Sequence, residues 1–321
     1  MYVHRKKNGY ALLACAVFLF ALPGLGQAQT GYDDIFIFGD SVSDSGNIYL
    51  MTGQTTKAPY PLVPTYPYAM GGHHYSNGKT WVEHFARGLK DATGGHASRA
   101  NPGKNGNYAH GGARGRNNTL HPSPDSLEQA EMLVADYNGA PSNALYVIQF
   151  GGNDVRDALT AAGSDPTLAT SFGIVINAAA EVGGTIQKLY DEGARNFLIA
   201  NSPNLANAPG VKLQGGLVTF LTGLFVGTYN GELEGRLIGL EGANAGIVIH
   251  RFNMYEFTNV LVGSPGDYGL TNVTAPCLNF LAETGGKCAN PEDYLFWDGL
   301  HPTAAAHKAI ADAALKGLNG S

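Results

Sequence analysis

A serine, a histidine and an aspartate in this sequence have the types and spacing of a nucleophile, a base and an acid that orients the base. Ser41 follows Gly39 and the apolar residues 35–38, a pattern typical of a buried strand that ends in a turn. Asp298 and His301 are three residues apart, so one loop can carry both. A serine hydroxyl attacks efficiently only when a neighbouring base takes its proton, and a histidine held by a carboxylate is such a base. Serines in turns are usually turn formers or helix caps, so the role of Ser41 depends on the rest of the chain.

Two further segments carry glycines and polar side chains where strands or turns are expected to end. Residues 107–113 contain the pair Gly111 and Gly112, and Asn153 follows the apolar residues 144–150 and two more glycines. Each segment is weak evidence alone, because glycine pairs commonly form turns and an asparagine after a strand commonly caps a helix. Their value lies in occurring together with the serine and the histidine.

In their order along the chain, these four segments resemble the SGNH/GDSL family of serine esterases and lipases, and within it the secreted lecithinase/hemolysin-like branch. The resemblance implies that Ser41 is the nucleophile, His301 the base and Asp298 the acid that orients the base. It also implies an oxyanion hole formed by the backbone N–H groups of Ser41 and Gly112 and the side-chain amide of Asn153. The expected function is hydrolysis of carboxylic esters through an acyl-enzyme intermediate, with no cofactor and no metal.

The resemblance covers the chain from residue 34 to the C-terminal helix. Residues 75–81 are similar to an aromatic-Ser-Asn-Gly stretch of the family, and Val42 stands where leucine is usual. The Gly-x-Ser-x-Gly segment of standard α/β-hydrolases does not surround Ser41, which argues against that class.

Several neighbouring polar residues have alternative interpretations. Asp40 is expected to support the serine turn through backbone hydrogen bonds, and Asp154 is a rival for the role of the orienting acid. His110 either lines the pocket or has a structural role. His73 and His74 are adjacent, so on an extended loop their side chains point apart; a position on the surface or at the substrate rim is preferred to a metal site.

The alternation of apolar segments and helical patterns predicts an α/β fold with three layers, α/β/α, around a central parallel sheet. The resemblance implies the flavodoxin-like version of this fold found in SGNH hydrolases. Residues 45–80 are rich in Gly, Pro and Tyr, which predicts a long loop without regular structure, ordered by its tyrosines near the site. The predicted strands cover residues 35–38, 144–150, 196–200 and 246–250, and the predicted helices cover residues 81–89, 127–137, 178–190, 217–240 and the stretch that begins at Pro302.

The first residues have the composition of a secretory signal peptide. Basic residues at positions 5–7 precede an apolar stretch over residues 11–22, which is too short for a stable membrane span. Small residues near Ala28 suit a cleavage site. We therefore expect a signal peptide over residues 1–28, a single catalytic domain over residues 29–321, and a secreted or periplasmic protein.

The expected secretion bears on the cysteines, because disulfides form in oxidising compartments outside the cytoplasm. Cys277 and Cys288 form an isolated pair, for which a disulfide closing a surface loop is expected in an oxidising environment, with two independent thiols as the alternative. Cys15 lies in a sequence like a lipoprotein box. Most of the apolar stretch follows Cys15, however, which favours ordinary secretion over lipidation.

The net charge of −6, with no long basic segment outside the N-terminus, argues against nucleic acid as a partner. The expected partner is an ester substrate: a lipid, a short-chain ester or an acylated sugar, with contact at a lipid interface left open. Three alternatives also stay open, namely an acyltransferase that uses the same residues, a carbohydrate acetylesterase and a non-catalytic secreted binding module.

Overall fold

A sheet of four parallel strands forms the centre of the fold in the computed structural model, which describes residues 1–2, 31–52, 68, 72–117, 121–279 and 286–320. The strands lie side by side in the order of the chain: β1 (Ile35–Gly39), β2 (Leu145–Gln149), β3 (Asn196–Ala200) and β4 (Val248–Phe252). Every residue of β1 and β2 is buried, because helices cover both faces of the sheet.

Residues 106–110 continue the sheet at the free edge of β1. Ile37 N donates to Gly106 O at 2.9 Å, and Tyr108 N donates to Ile37 O at 2.7 Å, in a parallel pairing. When this segment is counted, the strands follow the order 2-1-3-4-5 of flavodoxin-like folds. The predicted fold class is confirmed.

The helices form the two outer layers. The face of the sheet that carries Phe36 and Phe38 and the face that carries Ile35 and Ile37 belong to two separate hydrophobic cores. The helices are α1 (Asn47–Met51), α2 (Trp81–Gly88), α3 (Ser126–Tyr137), α4 (Gly152–Ala162), α5 (Ala169–Asp191), α6 (Pro209–Lys212), α7 (Gly216–Ala243), α8 (Met254–Gly263) and α9 (Ala304–Asn319). Helices α3, α4, α5 and α7 pack on the first face, and α2, α8 and α9 pack on the second.

Four short strands lie outside the central sheet. They are β5 (Asn272–Pro276), β6 (Leu278–Asn279), β7 (Gly286–Lys287) and β8 (Tyr294–Phe296). Strand β5 pairs with β8 in parallel, and β6 pairs with β7 in antiparallel orientation. Strand β8 leads directly into the segment that contains Asp298 and His301.

Among the predicted boundaries that differ from the structure, two have clear local reasons. The last strand of the sheet begins at Val248 and not at residue 246, because Gly246 has a φ of 76°, a left-handed conformation that does not fit a strand. Helix α5 begins at Ala169, nine residues before the predicted start. Asp165 anchors that start by accepting hydrogen bonds from the backbone N–H groups of Thr167 and Thr170.

The prediction of an irregular segment over residues 45–80 is wrong at its beginning, where α1 forms. Asp44 explains this helix, because its carboxylate accepts hydrogen bonds from Gly46 N, Asn47 N and Ile48 N at 2.6–3.1 Å. Residues 53–67 and 69–71 lie outside the described part of the chain. None of the helices in the described part is long and apolar enough to cross a membrane.

Candidate active site

Ser41 lies in a turn at the carboxyl end of β1. Asp40 shapes this turn, since its Oδ1 accepts a hydrogen bond from Val42 N at 3.0 Å. Gly39 allows the neighbouring strand to approach closely, because a Cβ atom there would lie 2.8 Å from Gln149 O. The strand and its turn therefore hold Ser41 at the edge of the sheet where α/β folds bind ligands.

Ser41, His301 and Asp298 form a continuous chain of hydrogen bonds. His301 Nε2 lies 2.8 Å from Ser41 Oγ, and His301 Nδ1 lies 2.7 Å from Asp298 Oδ2. The loop is closed by Asp298 Oδ1, which accepts hydrogen bonds from Leu300 N and His301 N, both at 2.7 Å. With the proton on Nδ1 held by Asp298, Nε2 is free to accept the proton of the serine hydroxyl.

The charges around this chain favour an ion pair between Asp298 and His301 once the histidine is protonated. Burial opposes ionisation of Asp298, but the facing His301 and the hydrogen bonds that the carboxylate accepts hold its pKa below the ordinary value. Burial likewise opposes protonation of His301, but the charge and hydrogen bond of Asp298 raise its pKa above the ordinary value. Asp40 is buried, which raises its own pKa to about 6, and its charge further raises the pKa of His301.

Three hydrogen-bond donors were expected to form an oxyanion hole; Ser41 and Asn153 line one cavity, and the residue before Gly112 is bonded to Asp44 of the serine turn. Asn153, the second residue of α4, donates from Nδ2 to Ala113 O at 2.9 Å, which leaves its second amide hydrogen available. Ala113 follows Gly112, so this bond ties the asparagine to the glycine loop. Within the described ranges, the backbone N–H groups of Ser41 and Gly112 donate to no other residue. All three groups can therefore donate to a developing oxyanion.

Gly111 and Gly112 must both be glycine, because neighbouring side chains lie too close to leave room for a Cβ atom at either position. A Cβ atom at Gly111 would lie 2.3 Å from Cε2 of Tyr75. A Cβ atom at Gly112 would lie 2.6 Å from Cε1 of His121, and Gly112 has a φ of 82°. Asp44 holds the loop against the serine turn, because its Oδ2 accepts a hydrogen bond from Gly111 N at 2.8 Å.

Two tyrosines near the triad were not assigned a role from the sequence. Tyr68 Oη donates to Asp298 Oδ2 at 2.8 Å, and the Tyr75 ring lies 5.1 Å from the His301 ring, measured between centroids. Both tyrosines are buried. The sequence signals were the density of tyrosines in residues 45–80 and, for Tyr75, the similarity of residues 75–81 to a stretch of the family. The expectation that tyrosines of this segment reach the site is confirmed for these two.

Two cavities share Asn153 and His301 in their linings. One is a cavity of about 60 Å³ that Ser41 lines, with a mostly apolar surface. The other is an open groove of about 370 Å³ that contains Asn153 and His301. The apolar lining of the first cavity includes Val42, Met254, Leu261, Leu295, Phe296 and Ile310, and that of the second includes Val155, Leu159, Leu205, Val211 and Leu300.

The rival residues are placed away from the histidine base or have structural partners. Asp154 faces Arg116, 3.3 Å away, and accepts a hydrogen bond from Gly115 N at 2.8 Å. Burial raises the pKa of Asp154 to about 7. His110 is fully buried between Tyr108 O and Arg99 Nε, and burial lowers its pKa to about 3. Its role is therefore structural.

His74 is buried, so its expected position on the surface or at the rim is wrong. Its Nδ1 lies 2.8 Å from Gly78 O and its Nε2 lies 3.5 Å from Glu83 Oε2, and these two contacts draw the side chain inward. His73 stacks on Tyr49, with the ring centroids 3.4 Å apart. No group of three or more His, Cys, Asp or Glu residues within the described ranges could hold a metal ion.

Cys277 and Cys288 lie at disulfide-bonding distance, with their Cα atoms 4.8 Å apart. The pair is also linked through the backbone, since Cys288 N donates to Cys277 O at 2.8 Å. Cys277 N donates to Phe296 O at 2.9 Å, which places the pair beside the end of β8 and close in sequence to Asp298.

Comparison with known proteins gives the same class as the site. The sequence model of a family described as GDSL-like lipase/acylhydrolase matches residues 35–314, which include all the predicted site residues. The chain therefore belongs to the GDSL-like lipase/acylhydrolase family, and it is an ester hydrolase.

Relatives with assigned names are distant but extend over most of the chain. A thermolabile hemolysin from Vibrio parahaemolyticus is 24% identical over 305 residues, covering 89% of this chain but only 63% of the hemolysin. A GDSL esterase/lipase from Arabidopsis thaliana is 26% identical over 339 residues, covering 89% of each protein. An acetylesterase from Thermothelomyces thermophilus is 26% identical over 300 residues, covering 89% of this chain and 88% of that enzyme.

Proposed function

We propose that this chain is a secreted serine esterase that hydrolyses carboxylic esters through an acyl-enzyme intermediate. Ser41 Oγ attacks the carbonyl carbon of the ester while His301 Nε2 takes the hydroxyl proton. The negative charge that develops on the carbonyl oxygen is stabilised by Ser41 N–H, Gly112 N–H and the Asn153 amide. Collapse of this intermediate releases the alcohol, which receives its proton from His301. Water then attacks the acyl-serine by the reverse sequence of proton transfers.

The observation that carries the proposal is the hydrogen-bonded chain from Ser41 to His301 to Asp298, with its two distances of 2.8 Å and 2.7 Å. Residues 1–28 act as the signal peptide in this proposal, and residues 29–321 as one catalytic domain. Outside the cell or in the periplasm, the cysteine pair is expected to be oxidised.

The linings of the two cavities favour an ester with apolar groups on both sides. Both the cavity at Ser41 and the open groove expose mainly apolar surface. The groove also carries the polar side chains of Asn153, Arg156, Gln214, Thr222, Asp298 and His301. Sugar-binding sites commonly use aromatic rings for stacking. Phe296 is the only aromatic residue that lines either cavity in the described part of the chain. A lipid-like ester is therefore preferred to an acylated sugar.

The proposal is tested with the mature chain and a short-chain chromogenic ester. Wild-type protein is expected to hydrolyse the ester and to be labelled at Ser41 by an alkyl phosphonate, with the adduct located by mass spectrometry of peptides. Ser41→Ala should lower kcat by about 10³-fold or more and abolish the label. Ser164→Ala, a substitution at an exposed serine, is the matched control.

Two results would contradict the proposal. A folded wild-type protein that hydrolyses no ester and takes no label would support a non-catalytic binding module. Transfer of the acyl group to an added alcohol in preference to water would instead identify an acyltransferase that uses the same residues.

A further inference from the structure

Helix α7 and the residues before it carry an exposed row of large apolar side chains. Leu213, Leu217, Phe220 and Leu224 are exposed by 76%, 71%, 66% and 37%. The last three are spaced by three and four residues on α7, so they lie on one face of the helix. These four residues are called the apolar stripe below. Single exposed leucines are common, but a contiguous group of this size indicates an interaction surface.

The stripe is not the face that α7 uses to pack on the sheet. Phe225, Val226 and Tyr229 are buried in the hydrophobic core, so the first half of the helix is apolar on both its inner and its outer side. The second half has an ordinary charged surface. Its charged residues are Glu232, Glu234, Arg236 and Glu241.

The charges near the stripe differ from those of the whole chain. The chain carries a net charge of −6, yet residues 193–231 contain no Asp or Glu and only two basic residues, Arg195 and Lys212. Lys212 is exposed and directly precedes the stripe, and Arg156 is exposed in the neighbouring groove. A row of exposed apolar residues in a segment that contains basic and no acidic residues complements a lipid surface that carries anionic head groups.

The stripe is continuous with the open groove of the candidate active site. Val211 and Gln214, on either side of Leu213, line the groove together with His301. Gly210 N donates to Gly299 O at 2.7 Å, which joins the start of the stripe to the loop that carries His301. Leu300 lines the same groove and is 40% exposed.

We propose that the apolar stripe docks the protein on the surface of a lipid aggregate, with the open groove facing that surface. An ester could then pass from the aggregate into the groove without crossing water. This inference rests on the proposed function in one respect, namely that the molecule entering the groove is an ester. The alternative is that the apolar stripe binds a second copy of the chain. The lipid surface is favoured because the stripe adjoins the groove through which a substrate must enter, and a second copy there would crowd it.

The test uses a double variant that carries both Leu217→Ser and Phe220→Ser. It is compared with the single variant Ile238→Ser. Ile238 is 59% exposed on the same helix but lies in its charged half, so it is a matched control. Binding to vesicles of phosphatidylcholine and phosphatidylglycerol is measured by co-sedimentation. It is measured in a Ser41→Ala background, so that hydrolysis does not alter the vesicles.

The double variant should bind at least about tenfold more weakly, because each substitution removes a large apolar side chain from the docked state. The control should bind like the parent.

Activity supplies the second measurement. In the active background, the double variant should lose activity on an ester embedded in vesicles and keep the parental kcat/KM on a soluble, monomeric ester. Equal vesicle binding by parent and double variant, or equal loss in the Ile238→Ser control, would overturn the proposal. A change from dimer to monomer caused by the double variant, seen by light scattering, would assign the stripe to a second copy. If vesicle binding depends on the stripe but no ester is hydrolysed, the proposed function fails and the docking surface stands.

Discussion

Tyr68 Oη donates a hydrogen bond to Asp298 Oδ2, the same oxygen that lies 2.7 Å from His301 Nδ1. Asp298 thus receives four hydrogen bonds: two from backbone N–H groups at Oδ1, one from His301 and one from Tyr68. Burial and the neighbouring Asp298 carboxylate raise the pKa of Tyr68 well above its ordinary value, so the phenol stays protonated and keeps donating. The tyrosine therefore acts on the histidine through the aspartate, as a positioning residue.

Tyr68→Phe removes this one hydrogen bond while keeping the ring. We expect kcat on a soluble ester to fall about three- to tenfold, with KM nearly unchanged, because the aspartate loses part of its orientation. We also expect the acid limb of the pH–rate profile to move to higher pH. A carboxylate with fewer hydrogen bonds interacts more strongly with the imidazolium.

Tyr108→Phe is the matched control, since Tyr108 also donates to a carboxylate, that of Asp136 at 2.8 Å, away from the triad. A Tyr68→Phe variant that lost stability as the control does, but kept its kcat and pH profile, would reduce Tyr68 to a structural role.

Asn153→Ala removes one of the three donors around the serine turn. If the amide stabilises the oxyanion, kcat should fall about 10²- to 10³-fold while KM changes little, because the interaction forms only in the transition state. Circular dichroism and thermal unfolding monitor the fold of the variant. Asn201→Ala is a suitable control, because Asn201 comes directly after the end of β3, just as Asn153 comes shortly after the end of β2. A loss of less than threefold in kcat would exclude Asn153 from the oxyanion hole.

The roles of Ser41, His301 and Asp298 were expected from the family resemblance, and two features of the sequence agree with the arrangement in the structure. In a parallel sheet the carboxyl ends of strands lie at one edge, so Ser41 and Asn153 had to come close. The local Asp-x-x-His spacing then needed only the loop hydrogen bonds at 2.7 Å to bring His301 to the same edge. Apolar patterns likewise located the four strands of the central sheet, whereas the pairing of residues 106–110 with β1 was not predicted.

Other features depend on contacts that no local pattern encodes. Tyr68 and Asp298 are 230 residues apart in sequence, and their hydrogen bond depends on the path of a long connection. The burial of His74 depends on the carbonyl of Gly78 and the carboxylate of Glu83 acting together, and the sequence pattern does not show either contact. Helix α1 was missed because the density of Gly, Pro and Tyr in that segment masked the capping by Asp44. The sequence predicts a helix over residues 217–240 but not the apolar stripe, since periodicity does not show which of two apolar helix faces is buried.

The pH dependence of hydrolysis follows from the environment of His301. The base must be neutral to accept the serine proton, and Asp298 raises the pKa of His301 above its ordinary value of 6.5. Activity should therefore rise as pH increases through that raised pKa, and fall as pH decreases below it.

Asp40→Asn should move the acid limb to lower pH by about half a pH unit, because it removes a negative charge that raises the pKa of His301. The asparagine oxygen can still accept the hydrogen bond from Val42 N, so the serine turn is kept. Asp267→Asn, at an exposed site, is the control for a general effect of charge. A limb that stays in place in Asp40→Asn would show that the Asp40 charge does not reach the base.

The cysteine pair should stabilise the segment that carries the acid of the triad. Cys277 and Cys288 close a loop with a sequence separation of 11 residues, for which loop-closure entropy predicts about 2–3 kcal/mol of stabilisation. Leu278 N donates to Trp297 O at 2.6 Å, so the cysteine segment is bonded to the residue next to Asp298.

Replacing both cysteines by serine should lower the free energy of unfolding by about 2–3 kcal/mol in urea titrations. It should also make activity more sensitive to temperature, while activity at low temperature is retained. A reducing agent should lower the Tm of the wild-type chain and leave the Tm of the double variant unchanged. Equal effects of the reductant on both proteins would show that the cysteines are not joined.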